Sequence, residues 1–146
     1  MSEIWSSIEQ LRKAIKADPN NAEAHLRLGV LLHSLLQHEE AEAEYRRAIE
    51  INPDHADAHY NLGLLLDVLN RYDETERELR RAIEINPNYA DAHYNLGVLL
   101  CYLKRYDESK SEFHRAIEIN PNYARRKAEL EEREKKRDAE LEGNQN

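Results

Sequence analysis

Cysteine is almost missing from this chain: Cys101 stands alone, so no intramolecular disulfide can staple the fold. Glycine and proline are held to four each in 146 residues, which leaves little punctuation for turns and points to mostly helical structure. No apolar run approaches the roughly 18 residues that a membrane span requires. The opening MSEIWSSIEQ lacks the basic-then-apolar layout of a secretory signal. An excess of positive charge is absent as well, because 21 Lys and Arg face 29 Asp and Glu for a net charge of −8. The whole imbalance lies before residue 124, beyond which seven residues of each sign occur. An acidic body repels phosphate backbones and anionic lipid, so neither nucleic acid nor a membrane is the expected partner. These absences predict a soluble, cytoplasmic protein. At this length one domain buries about two thirds of its unfolded surface, enough for a core without staples.

What the chain does have is repetition. EINPDHADAHYNLGLLL runs from Glu50 to Leu66, EINPNYADAHYNLGVLL from Glu84 to Leu100, and a looser KADPNNAEAHLRLGVLL from Lys16 to Leu32. Pro19, Pro53, Pro87 and Pro121 are 34 residues apart, as are Gly29, Gly63 and Gly97. A fixed period of this length means stacked copies of one supersecondary unit. Each proline marks a helix end, since it lacks an N–H and restricts the residue before it. Asn20, Asp54 and Asn88 follow as candidate N-caps, with Glu23, Asp57 and Asp91 three places on in a spacing that resembles a capping box.

Each unit is expected to hold two helices. The first set falls near Ala22–Leu35, Ala56–Leu69 and Ala90–Leu103, and the second near Glu39–Ile51, Asp73–Ile85 and Asp107–Ile119. The second set is amphipathic: Tyr45, Ala48 and Ile49 recur as Leu79, Ala82, Ile83 and as Phe113, Ala116, Ile117. A Leu-Gly pair in the first helix, a small residue early in the second, a large apolar residue four later, Ala three further and Pro five beyond resembles the tetratricopeptide repeat. Leu28-Gly29, Ala41, Tyr45, Ala48 and Pro53 fit in the first copy. Leu62-Gly63, Thr75, Leu79, Ala82 and Pro87 fit in the second, and Leu96-Gly97, Ser109, Phe113, Ala116 and Pro121 in the third. His25, His59 and His93 stand where that family often has Trp, and Asn70 and Lys104 where it often has Gly.

The resemblance implies an all-α fold, a right-handed superhelical solenoid of antiparallel helix pairs. The expected organisation is an orphan helix within 1–21 (Ser2–Ala17), repeats at 22–55, 56–89 and 90–123, and a charged capping helix with a short tail at 124–146. In the last segment Glu129–Arg133, Glu131–Lys135 and Glu132–Lys136 are favourable i,i+4 pairs, suited to the polar outer surface that a stack requires.

The first helices carry the functional signal, because they are apolar on two opposing sides. Leu28, Leu32 and Leu35 share one face, while Leu26, Val30 and His33 sit nearly opposite. The spare face recurs as Tyr60, Leu64 and Val68, then as Tyr94, Val98 and Tyr102. A face of this kind is either buried against neighbours or offered to a partner. The resemblance implies the latter, a concave groove that holds peptides. Leu26, Arg27, Val30, Tyr60, Asn61, Leu64, Tyr94, Asn95, Val98 and Tyr102 are then the contact residues. Tyrosine supplies large area on few rotors, and Asn61 and Asn95 can each donate to and accept from a peptide main chain. A subfamily that clamps carboxylate-rich chaperone tails uses Lys and Arg at places held here by Leu26, Val30 and Asp91, which argues against that ligand.

Self-association is the structural alternative, through Ile4, Trp5 and Ile8 on the orphan helix or end to end, giving a homo-oligomeric scaffold. Enzymatic chemistry finds no support. GxSxG, HExxH, CxxC and a Gly-rich phosphate loop are all absent. His55 and His59 share a helical face but lack a third ligand, and His25, His59 and His93 lie one repeat apart, too far to share an ion. Neither a metal nor another cofactor is expected. The histidines are read as packing residues, and Cys101 as a small groove residue that becomes reactive only if its pKa is lowered.

Overall fold

Each helix that precedes a repeat proline ends two residues before it: helices stop at Ile51, Ile85 and Ile119, with Asn52, Asn86 and Asn120 as their C-caps. The computed structural model describes residues 2–144, so Met1 and the last two residues of the expected C-terminal tail lie outside the described residues. Eight α-helices occur among them and no strand. They are α1 (Ser2–Ala17), α2 (Ala22–Ser34), α3 (His38–Ile51), α4 (Ala56–Val68), α5 (Tyr72–Ile85), α6 (Ala90–Tyr102), α7 (Tyr106–Ile119) and α8 (Tyr123–Gly143). Every expected helix is present, with ends within a residue or so of those read from the period.

The chain divides into two compact units, Met1–Pro87 and Asn88–Asn146. In the first, α2 pairs with α3 and α4 with α5, while α1 packs on α2 and α3 on α4. Its core is built from Ile8, Leu26, Leu28, Leu32, Ala41, Tyr45, Ala48, Ala58, Leu62, Leu65 and Leu66. In the second, α6 pairs with α7 and α8 lies against α7, around buried Leu96, Leu100, Phe113, Ala116 and Tyr123. The paired helices meet closely because the glycine of each Leu-Gly pair faces the large residue of the next helix. A Cβ on Gly29 would stand 2.6 Å from Tyr45, and one on Gly97 2.9 Å from Phe113.

Three-residue turns join the two helices of each pair, and each turn carries one residue in the left-handed region: Leu36 (φ 60°), Asn70 (φ 59°) and Lys104 (φ 61°). The hydrogen bonds are those of a Schellman C-cap. Gln37 N–H donates to Leu32 C=O and Leu36 N–H to His33 C=O, both at 2.9 Å. Leu36 is the least suited of the three to this backbone, being a branched side chain that is 75% exposed. Left-handed geometry costs an L-residue about 1–2 kcal/mol, which glycine avoids. Leu36→Gly is therefore expected to raise stability by about 1 kcal/mol, after allowance for glycine's freer unfolded chain. A thermal melt checks this, and a lowered midpoint would refute it.

The structure corrects the capping assignment. The N-cap positions are Asn21, His55 and Tyr89, one residue later than expected. Asn21 Oδ1 accepts from Ala24 N–H at 3.0 Å, and His55 Nδ1 accepts from Ala58 N–H at 3.3 Å. Asn20, Asp54 and Asn88 have another task, which is to receive an arginine from the second helix of the repeat that follows them. Arg47, Arg81 and Arg115 donate through Nη2 to these three at 3.2, 2.7 and 3.0 Å. The turn itself is shaped further upstream, where Asp18, Asn52 and Asn120 accept from the backbone N–H two residues on.

Candidate functional site

A groove of about 580 Å³ opens in the first unit. Its walls come from three helices: Ser7, Gln10, Leu11 and Ala14 of α1; Glu23, Leu26, Arg27, Val30 and Leu31 of α2; Asp57 and Asn61 of α4. Of the expected contacts, Leu26, Arg27, Val30 and Asn61 line it together. Leu26 is buried and serves as floor, whereas Arg27 and Val30 are exposed. Asn61 Nδ2 donates to its own helix at Asp57 C=O, 2.8 Å away, so one of its amide hydrogens is already engaged. Glu23 on the rim meets His55 Nε2 at 3.3 Å. Tyr60 and Leu64 are half-buried on α4 and do not line this groove. The four lining residues of α1 were missed from sequence. The signal was present, since the repeat register aligns Ser7, Leu11 and Ala14 with Ala41, Tyr45 and Ala48.

In the second unit Tyr94 is built into an aromatic stack. Its ring lies 5.5 Å from Phe113 and 4.8 Å from Tyr123, with the Arg126 guanidinium 5.3 Å from its centroid. Burial raises the Tyr94 phenol above its ordinary pKa, with Glu129 adding to the effect and Arg126 opposing it. Asn95 Nδ2 donates to Asp91 C=O at 2.8 Å, as its counterpart does in the previous repeat. Val98 is half-buried, and Tyr102 is 63% exposed.

On α1, Trp5 is 46% exposed. Ile8 is sealed in the core at 1%, and Ile4 packs against that core, so of the residues expected to mediate self-association only Trp5 presents much surface.

His25, His59 and His93 are buried, each as one end of a polar bridge between the two helices of its repeat. Their Nδ1 atoms lie 2.6 Å from Oε2 of Glu44, Glu78 and Glu112 respectively. Nε2 of His25 and His59 faces the C=O of Pro19 and Pro53, at 2.9 and 2.8 Å. For His59, burial lowers the pKa, but the bonds to Glu78 and Pro53 outweigh it and leave the imidazole above its ordinary value. Among the described residues no group of three or more His, Cys, Asp or Glu is arranged to hold a metal ion. Burial pushes the Cys101 thiol upward, and Glu134, whose carboxylate lies 3.9 Å away, pushes it further, the reverse of what a reactive thiolate needs. No helix among the described residues is long and apolar enough to cross a membrane.

The sequence matches the family model described as TPR repeat at residues 4–35, 37–66 and 69–101, and that described as Tetratricopeptide repeat at 90–123. No curated protein matches it. Among solved structures it is similar to MamA, with a TM-score of 0.74 at 30% identity over 81% of this chain and 69% of that one. A second MamA structure gives 0.76 at 28% identity over 85% and 68%. YrrB, described as a TPR protein with an unusual peptide-binding site, gives 0.71 at 28% identity over 82% of this chain and 62% of that one. Repeat register, helix pairs and matched residues agree: the chain is an all-α helical solenoid of the tetratricopeptide repeat family, whose members serve as protein interaction modules.

Proposed function

We propose that the protein is a non-enzymatic interaction module that captures a peptide segment of a partner on the first helices of its repeats. The observation that carries this reading is the groove of the first unit, where apolar Leu26 and Val30 adjoin polar Arg27, Asp57 and Asn61. Grooves with an apolar floor and a few placed polar groups suit a peptide, because the floor takes side chains while the polar groups hold the main chain. Tyr60 and Leu64 extend the contact set on α4 of the first unit, and in the second unit Tyr94, Asn95, Val98 and Tyr102 offer a contact set of its own on α6. Tyr102 is the most accessible of the tyrosines named, whereas Tyr94 is half-buried in its stack. YrrB, similar in fold, is described by its peptide-binding site, which supports the same use here.

A phage-displayed peptide library panned on the intact chain tests the proposal. Selected peptides are expected to bind at least about tenfold more weakly, a loss of about 1.4 kcal/mol, to a Val30→Asp, Asn61→Ala double variant. Neither side chain belongs to the buried core, so helix content should be retained. Equal binding by a folded variant would move the surface elsewhere.

A further inference from the structure

Across the second helices of the repeats, one seam is always covered. Ala41, Tyr45 and Ala48 on α3 are buried, as are Thr75, Leu79 and Ala82 on α5 and Ser109, Phe113 and Ala116 on α7, each set lying against the first helix of its own repeat. By register α1 is another second helix, and its seam reads Ser7, Leu11 and Ala14. No first helix lies over it among the described residues. Ser7 and Ala14 are exposed, and Leu11 is half-buried. The neighbouring helix shows the same uncovered edge: Leu31 of α2 is half-buried, whereas its counterparts Leu65 and Leu99 are 0% and 3% exposed. All four of these residues line the one groove of about 580 Å³.

We infer that this groove takes an amphipathic α-helix from a partner protein, seated on α1 as a first helix sits on a second helix within the repeats. This rests on the groove reading given above and names the form of its ligand. The seam specifies the guest. Gly29, Gly63 and Gly97 are what face Tyr45, Leu79 and Phe113, so the guest needs a small residue opposite Leu11, flanked by leucines at helical spacing. Gln10 stands where Glu44, Glu78 and Glu112 bind histidine, so an uncharged hydrogen-bonding residue suffices there. The charged lining is Glu23, Asp57 and Arg27, two acids to one base on a chain of net charge −8, which favours a guest with basic flanks.

A second copy of this chain is a poor occupant. Its α2, α4 and α6 are already paired, which leaves α8. There the places equivalent to Gly97 and Leu100 hold Glu131 and Glu134, and seating α8 would drive a carboxylate onto Leu11.

The probe is a synthetic peptide with the sequence of residues 56–69 carrying Asp57→Lys and Asp67→Lys, titrated into the full chain and followed by calorimetry and by fluorescence of the single Trp5 on α1. Saturable one-to-one binding is expected, with peptide helicity induced on binding, and at least about tenfold weaker binding to Ala14→Arg, an exposed substitution that should leave the fold intact. Binding that is lost in Val30→Asp, Asn61→Ala but unchanged in Ala14→Arg would overturn this inference and leave the broader groove reading standing. No binding of the probe, with library peptides still captured, would do the same. If the free chain itself gains mass with concentration in light scattering and Ala14→Arg abolishes that gain, the occupant is a second copy and the inference is wrong.

Discussion

Gly29→Ala is expected to destabilise the first unit by about 2 kcal/mol, although alanine is the better helix former. The added methyl would lie 2.6 Å from Cε1 and 2.7 Å from Cδ1 of Tyr45, a ring with no exposed surface and hence no free direction in which to turn. Overpacking a dense core costs about 1–3 kcal/mol, and the upper end applies when a rigid ring must move together with its neighbours. Helix propensity returns about 1 kcal/mol of that. The repeats supply their own controls. Gly97 faces Phe113 at 2.9 Å, and Gly63 faces the flexible Leu79 side chain at 3.1 Å. The loss in urea unfolding should therefore rank Gly29 above Gly97 above Gly63, with Gly63→Ala close to neutral. In a Tyr45→Leu background, which recreates the second repeat's contact, Gly29→Ala should lose most of its effect, a coupling of about 2 kcal/mol in the double-mutant cycle. Equal losses at all three glycines, or an unchanged effect beside Leu at position 45, would show that close approach is not what the glycine provides.

The same comparison between repeats explains how much was legible beforehand. Helix positions followed from Pro19, Pro53, Pro87 and Pro121, because a missing N–H acts within a few residues and needs no tertiary context. The Leu-Gly pairs were legible for a like reason, since a fixed spacing to Tyr45, Leu79 and Phe113 announces a contact. The caps were misplaced because Asn20, Asp54 and Asn88 have side chains competent for either role. What draws them away is Arg47, Arg81 or Arg115, 27 residues later, and no local rule weighs that competition. The groove was only half read. The apolar face of α2 gave Leu26 and Val30, but the contribution of α1 depends on no described helix lying over Leu11 and Ala14, a feature of assembly rather than of pattern. Tyr94 shows the converse: its chemistry suited an anchor, and its place beside Tyr123 and Arg126 became visible only once α8 was in position.

Glu78→Gln is expected to remove about 2 kcal/mol at pH 5.5 and clearly less at pH 9, and this difference tests whether the His–Glu bridge is ionic. His59 is buried with acceptors at both ring nitrogens, the Glu78 carboxylate at 2.6 Å and the Pro53 carbonyl at 2.8 Å, and only an imidazole with two N–H groups satisfies both. Burial opposes the charged ring, as does Arg81 nearby, yet the bonds to Glu78 and Pro53 prevail and the folded pKa is raised. A raised folded pKa means that the folded state holds the proton more tightly than the unfolded one. The stabilisation is thus complete below the unfolded histidine value of about 6.5 and is lost as pH rises through the higher folded value. Removing the carboxylate leaves a buried cation facing a neutral amide, whose cost exceeds that of an exposed pair and is discounted here because Glu78 is about a fifth exposed. The intact chain should accordingly lose stability on the alkaline side of that range, while Glu78→Gln follows a flatter profile. The same geometry recurs at His25–Glu44 and His93–Glu112, with Nδ1–Oε2 distances of 2.6 Å, so each repeat ties its two helices by a bridge of this kind. Urea unfolding at a series of pH values decides the matter, and a Glu78→Gln loss that is the same at pH 5.5 and 9 would mean that shape and hydrogen bonding, without charge, hold the two helices together.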